Sequence, residues 1–95
     1  MRSIYARTTF NGNVTLYVFK CGLFSLDDYF RDHLYEFYGW YNPKEVKEAT
    51  TIKKKLSLMS MEQINTKQAR YYMSLVNSGK CVDCWGNSVK IRRVD

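Results

Sequence analysis

The sequence predicts an α+β domain in which two antiparallel β-hairpins, one N-terminal and one C-terminal, form a sheet with two to three helices packed on one face. Asn-Gly or Gly-Asn pairs near both ends separate short runs rich in β-branched and aromatic residues. Between these runs, apolar residues recur at three- and four-residue steps. Helices on one side of an antiparallel sheet form a stable two-layer domain. The alternative arrangement is two small hairpins at opposite ends of a helical body.

The N-terminal hairpin is predicted over residues 4–20, with strands at 4–10 and 14–20 around Asn11-Gly12-Asn13. A three-residue loop sets Phe10 opposite Val14 and gives each strand one apolar face. A two-residue Asn-Gly loop mixes the faces, so the longer loop is favoured. The predicted core face consists of Ile4, Ala6, Phe10, Val14, Leu16 and Val18, and the other face of Tyr5, Arg7, Thr9, Thr15, Tyr17 and Phe19.

Two helices are predicted next. The first begins at Ser25, which can cap it, and its apolar positions run to residue 41. Asn42 can cap the second, with Pro43 at its first position, and that helix extends to about residue 57. Poor helix formers at 50–52 and three adjacent lysines at 53–55 favour an early break in it.

A third helix, capped by Ser60 or Thr66, is predicted to end at residues 77–79. Its apolar face consists of Ala69, Tyr72, Met73 and Val76. The C-terminal hairpin is predicted over residues 80–94 around Gly86-Asn87. In this register Cys84 pairs with Val89, Val82 with Ile91, and Asp83 with Lys90 as a solvent-side ion pair.

Length and composition indicate a single domain over residues 1–95 with one modest core, because 45% of the residues are hydrophobic and 16% aromatic. The net charge is +6, and residues 43–95 carry eleven basic and five acidic side chains. Such an excess favours an acidic protein surface or nucleic acid as partner. No apolar run is long enough to cross a bilayer, no secretory signal is recognisable, and three cysteines fit reduced thiols, so we expect a cytoplasmic protein without membrane contact.

Cys81 and Cys84 form the one motif typical of metal binding, and with Cys21 and His33 they make four potential zinc ligands. Cysteines three apart on a regular strand point to opposite faces, so zinc needs a bulge or knuckle there. The other interpretation is structural, with Cys84 in the core and Cys81 partly exposed. We expect no metal and no cofactor.

Catalytic patterns are not found. His33 falls on the apolar face of the first predicted helix, which is typical of a core histidine. Paired carboxylates, a phosphate-binding glycine loop and a nucleophile elbow are not recognisable. The sequence therefore predicts a binding protein and no enzyme, with no catalytic residue.

Two groups of residues are predicted to bind a partner. Basic side chains neutralise phosphates or steer association with acidic proteins, and exposed aromatic rings act as anchors or stack on bases. The predicted basic surface consists of Lys53, Lys54, Lys55, Lys67, Arg70, Lys90, Arg92 and Arg93. The predicted aromatic anchors are Tyr5, Tyr17, Tyr35, Tyr38, Trp40 and Trp85.

The segments SMEQINTKQARYYMSLVNSGK and CVDCWGNSVKIRRVD, within a short chain rich in Lys, Asn and Tyr, are similar in style to small accessory proteins of bacterial viruses. This resemblance implies host-takeover or anti-defence activity in the host cytoplasm, through docking on a protein that handles nucleic acid. Two alternatives remain: direct RNA or DNA binding by the basic half, and a small zinc-stabilised domain. A homodimer through an exposed edge strand also remains open.

Overall fold

The computed structural model describes residues 3–20 and 43–94. Its elements in chain order are β1 (Ile4–Phe10), β2 (Asn13–Phe19), α1 (Pro43–Glu48), α2 (Ile52–Leu58), β3 (Glu62–Ile64), α3 (Thr66–Asn77) and β4 (Ser88–Arg93). The predicted α+β class and the N-terminal hairpin are confirmed. The first predicted helix, at residues 25–41, lies outside the described residues.

The four strands form one sheet in the order β3-β1-β2-β4. β1 is antiparallel to both of its neighbours, and β4 runs parallel to β2. The two edge strands, β3 and β4, therefore run in the same direction, and α3 connects them across the sheet. This is a split β-α-β unit with the β1–β2 hairpin inserted between its strands.

The hairpin turn is shorter than predicted. Phe10 pairs with Asn13, so the loop contains only Asn11 and Gly12, which adopt φ values of 50° and 78°. Positive φ at both positions is the requirement of the tight turn that Asn-Gly favours. The predicted three-residue loop is wrong by one residue, which changes the side-chain faces. One face now holds Ile4, Ala6, Tyr17 and Phe19, and the other holds Tyr5, Val14, Leu16 and Val18.

Both faces of the sheet are covered, which differs from the predicted one-face arrangement. Leu56 of α2 packs with Ile4, Ala6 and Phe19 on the first face. Ala69 and Tyr72 of α3 pack on the second face, where the remaining core residues are Val14, Leu16, Val18, Ile64 and Val89. The physical reason is that residues 16–19 are all buried, so each face of β2 needs its own cover.

The helix ends follow from local capping. The predicted second helix does break early, because α1 ends at Glu48 and Thr51 then caps α2 by accepting a hydrogen bond from the Lys54 N–H at 3.2 Å. Asn65 caps α3 by accepting from the Gln68 N–H at 2.9 Å, in place of the predicted Ser60 or Thr66. The short strand β3 was not predicted.

The predicted C-terminal hairpin is reduced to a single antiparallel bridge, between Val82 and Ser88. The pairings of Cys84 with Val89 and of Val82 with Ile91 are wrong, since Val89 and Ile91 pair with β2 instead. Pairing with β2 buries Val89 in the core under α3, which a two-stranded hairpin at the surface does not achieve.

Candidate docking surface

The turn before β4 is held by a single buried carboxylate. Asp83 Oδ1 accepts hydrogen bonds from the backbone N–H groups of Trp85 and Asn87, both at 2.9 Å. Its Oδ2 accepts from the Asn87 side-chain amide at 3.2 Å. Burial alone raises the pKa of the Asp83 carboxyl, but the hydrogen bonds from Asn87 and Trp85 and the nearby Arg7 charge lower it below its usual value. An ionised Asp83 therefore stabilises the turn.

Backbone hydrogen bonds close the same turn. The Gly86 N–H donates to the Asp83 carbonyl at 3.1 Å, and the Asp83 N–H donates to the Asn87 carbonyl at 2.9 Å. Gly86 has a φ of 85°, which glycine adopts without strain. Because Asp83 is only 7% exposed and bonded within the turn, the predicted solvent-side pair with Lys90 is wrong. These hydrogen bonds together define the conformation of the turn.

Large apolar side chains are exposed at this end of the sheet. Trp85 is 76% exposed, and Phe10, Tyr71 and Val82 are 53%, 40% and 44% exposed. Phe10 pairs with Asn13, Asn13 with Ser88, and Ser88 with Val82, so Phe10 and Val82 lie in one row across the sheet. We call Phe10, Tyr71, Val82 and Trp85 the apolar end. Phe10 and Val82 lie at opposite ends of this row, about three strand spacings or ~14 Å apart, and Tyr71 lies on α3. Trp85 is the most exposed of the four.

Tyr71 of α3 lies close to Cys84 of the turn. Partial burial, followed by a hydrogen bond with the Cys84 side chain, raises the pKa of the Tyr71 phenol above its usual value. Its ring meets that of Tyr72 edge-on, with 5.4 Å between the ring centroids. Tyr71 thus stays neutral and contributes an amphipathic ring, of a type common in protein interfaces.

Arg7 fixes the layer behind the turn. Its Nη1 donates to the Tyr72 hydroxyl at 2.8 Å, and its Nη2 donates to Glu62 Oε2 at 2.7 Å. The hydrogen bond to Tyr72 is the main reason that the pKa of Arg7 is raised further, and the Glu62 hydrogen bond adds to it. These contacts tie β1, β3 and α3 together close to Asp83. Arg7 is therefore a structural residue.

Seven of the eight predicted basic residues are exposed: Lys53, Lys54, Lys67, Arg70, Lys90, Arg92 and Arg93. The exception is Lys55, which is 5% exposed and was wrongly predicted as a surface residue. Successive helical residues point about 100° apart, so three adjacent lysines cannot share one face of α2.

The exposed basic residues do not form one surface. Lys53 and Lys54 belong to α2, whereas Lys67 and Arg70 belong to α3 on the opposite side of the sheet. The remaining three, Lys90, Arg92 and Arg93, follow one another along the edge strand β4. β4 therefore carries three of these exposed basic residues against two each on α2 and α3, and it begins directly after the turn that carries Trp85.

Among the predicted aromatic anchors, Trp85 is exposed at the site. The prediction of Tyr17 as an exposed anchor is wrong, because Tyr17 is 7% exposed and stacks on Phe19 in the core, with 6.3 Å between the ring centroids. Tyr5 is half-buried under α3. The remaining candidates, Tyr35, Tyr38 and Trp40, lie outside the described residues.

Cys81 and Cys84 are both exposed free thiols. The prediction of Cys84 as a core residue is wrong, because the chain turns at Cys81, where φ is 51°, instead of continuing as a strand. Within residues 3–20 and 43–94, no three His, Cys, Asp or Glu side chains come close enough to hold a metal ion. The other two candidate ligands, Cys21 and His33, lie outside this part of the chain.

An open groove of about 610 Å³ lies between α2 and β3, with Lys53, Glu62 and Asn65 among its lining residues. None of the helices in the described part of the chain is long and apolar enough to cross a membrane.

No protein-family model matches the chain, and neither the curated proteins nor the solved structures contain a significant match to it.

Proposed function

We propose that this protein is a non-enzymatic binding protein that docks on another protein through the apolar end, with Trp85 as the central anchor. The observation that carries the proposal is the 76% exposure of Trp85 on a turn that Asp83 holds in one conformation. Tryptophan is enriched among the few residues that dominate interface energies. A preformed turn also avoids the entropic cost of ordering a loop on binding.

The charge distribution favours an acidic surface on the partner. Lys90, Arg92 and Arg93 follow the anchor along β4, and rim charges of this kind accelerate association and orient the complex. From the resemblance to accessory proteins of bacterial viruses, the proposed target is a host or defence factor that handles nucleic acid. On this proposal the protein acts in the host cytoplasm as an inhibitor or regulator that occupies its target's surface.

The test is quantitative capture from nuclease-treated bacterial extract by immobilised wild-type protein, Trp85→Ala and Lys54→Ala. Lys54 is exposed on α2 and serves as the matched surface control. We expect one protein to be retained by wild type and Lys54→Ala and lost with Trp85→Ala. Truncating a dominant tryptophan costs about 2 kcal/mol or more, which is roughly thirtyfold in affinity. Equal retention by all three proteins contradicts the proposal.

Direct RNA or DNA binding is the second candidate, and the proximity of Trp85 to the basic strand β4 favours it. An exposed indole can stack on a base while Lys and Arg neutralise phosphates. Fluorescence anisotropy with single- and double-stranded RNA and DNA across a salt series distinguishes the two functions. Binding that weakens with salt and with Lys90→Ala, but not with Lys53→Ala, supports nucleic acid. If no nucleic acid binds even at low salt, this second candidate is rejected and docking on a protein partner remains.

A further inference from the structure

The outer edge of β4 carries backbone groups with no partner in the described part of the chain. β4 pairs with β2 on its inner side, and the Val94 N–H donates inward to the Val18 carbonyl at 3.0 Å. The Val89 N–H instead donates outward, to the Cys81 carbonyl at 2.8 Å. Because the direction alternates along a strand, Ile91 and Arg93 also direct their N–H and C=O groups outward.

Among residues 3–20 and 43–94, only the beginning of this edge is covered by another segment. Residues 81–83 run beside Ser88 and Val89 as the short antiparallel bridge already described, and the chain then leaves the sheet. β4 is an edge strand in the sheet order, and Ile91 and Arg93 have no further strand beside them among the described residues. An exposed edge of this kind is a template for another strand.

We propose that the outer edge of β4 binds an extended acidic segment of the protein partner by β-strand addition, with backbone hydrogen bonds at Ile91 and Arg93. The inference rests on the proposed function, since it specifies what the partner contributes beside the Trp85 anchor. Peptides bind sheet edges in this manner, with main-chain hydrogen bonds for affinity and alternate side chains for specificity.

The exposed positive charges of β4 favour an acidic segment at its outer edge. Lys90 and Arg93 are exposed on opposite faces of the strand, and neither forms an ion pair with the described residues. Glu or Asp side chains on an added strand therefore find a cation on either face. A second copy of β4 is disfavoured, because antiparallel pairing centred on Ile91 sets Lys90 opposite Arg92 twice, and like charges directly opposite destabilise a sheet.

The first measurement uses wild-type protein and a labelled eight-residue peptide of alternating Glu and Val, with a Lys and Val peptide as control. In the free protein, NMR hydrogen exchange is expected to be faster at the Ile91 and Arg93 amides than at the Lys90 and Arg92 amides, which face β2. Adding the acidic peptide slows exchange at Ile91 and Arg93 by about five- to tenfold once roughly 80–90% or more of the protein is bound, because only the free fraction still exchanges at the full rate. Unchanged exchange at these two amides under saturating peptide overturns the proposal.

The second measurement separates backbone pairing from charge. Arg93→Pro removes both the charge and an outward N–H, whereas Arg93→Gln removes the charge and keeps that N–H. Proline is compatible with an edge strand where its missing N–H faces outward. Arg93→Pro is expected to bind the acidic peptide about three- to tenfold more weakly than Arg93→Gln, the value of one hydrogen bond. Circular dichroism melts confirm that both variants are folded.

Three further results overturn this inference. They are equal peptide affinity of folded Arg93→Pro and Arg93→Gln, equal affinity of the protein for the acidic and basic peptides, and displacement of the peptide by a single-stranded oligonucleotide that binds both variants equally. The extract capture keeps the two proposals distinguishable. Capture that depends on Trp85 but is the same for Arg93→Pro and Arg93→Gln retains the docking function and rejects strand addition. If the peptide protects the Ile91 and Arg93 amides of wild type but Trp85→Ala captures the partner as well as wild type does, Trp85 is rejected as the anchor and the edge site is retained.

Discussion

Replacement of Leu56 by Ala tests whether α2 forms a second core on its face of the sheet. Leu56 is completely buried, and it packs with Ile4, Phe19 and Met59. The substitution removes three carbons, which is about 2.4 kcal/mol at roughly 0.8 kcal/mol for each buried methylene. The cavity that remains increases the cost to about 3–4 kcal/mol. A domain of this size has a total free energy of unfolding of about 5–14 kcal/mol.

The assay is urea unfolding followed by circular dichroism, with Leu58→Ala as the matched control. Leu58 lies in the same helix but is only partly buried, so its truncation is expected to cost well under half as much. Seven residues are too few for an independently stable helix, so α2 depends on this contact. A cost below about 0.5 kcal/mol for Leu56→Ala, which is typical of a surface position, would refute the two-sided core.

Three further predictions concern local structure. Asn65→Ala is expected to lower the free energy of unfolding by about 0.5–2 kcal/mol, whereas Thr66→Ala changes it little, because Asn65 caps α3; equal effects in urea unfolding would contradict this. The pKa of Asp83 is lowered in the folded state, so its contribution to stability is present above an unfolded pKa of about 3.9 and is lost as the pH falls toward the folded value. In thermal melts between pH 2 and pH 6, the melting temperature should therefore fall more steeply for wild type than for Asp83→Asn. Parallel curves for the two proteins would count against this role of Asp83. Gly79→Ala is expected to cost about 1–2 kcal/mol although no atom lies within 4 Å of the added carbon, since φ is +77°; an unchanged unfolding midpoint would disprove the backbone argument.

Most elements of the described structure were readable from local patterns, but the short strand β3, the pairing of β4 and the faces of the strands were not. Asn11-Gly12 located the hairpin, and the break after α1 and the end of α3 followed from residue types. The preference for a longer loop arose from the assumption that one strand face must be polar. Residues 16–19, Leu-Tyr-Val-Phe, form an unbroken apolar run, which is the pattern of a strand buried on both sides. That run is the signal from which a sheet covered on two faces could have been predicted instead of helices on one face.

The candidate site was predictable only in part, because exposure depends on distant pairing. Trp85 was identified from its place at a turn. Phe10 was assigned to the core, yet it lies beside the hairpin turn at the end of the sheet and is 53% exposed. Val82 was expected to pair with Ile91, yet it pairs with Ser88 and is 44% exposed. The parallel pairing of β4 with β2 joins residues about 75 positions apart, and no local signal specifies such a partner.

The same parallel pairing has a consequence for synthesis on the ribosome. The β1–β2 hairpin can close early, since its contacts are local. Val14, Leu16 and Val18 then remain exposed to water until α3 and β4 have emerged to cover them and to occupy the free side of β2. Nascent chains that stall before β4 therefore present an apolar face and an unpaired strand, the combination that recruits chaperones and promotes aggregation. β4 thus completes the core that β1 and β2 begin.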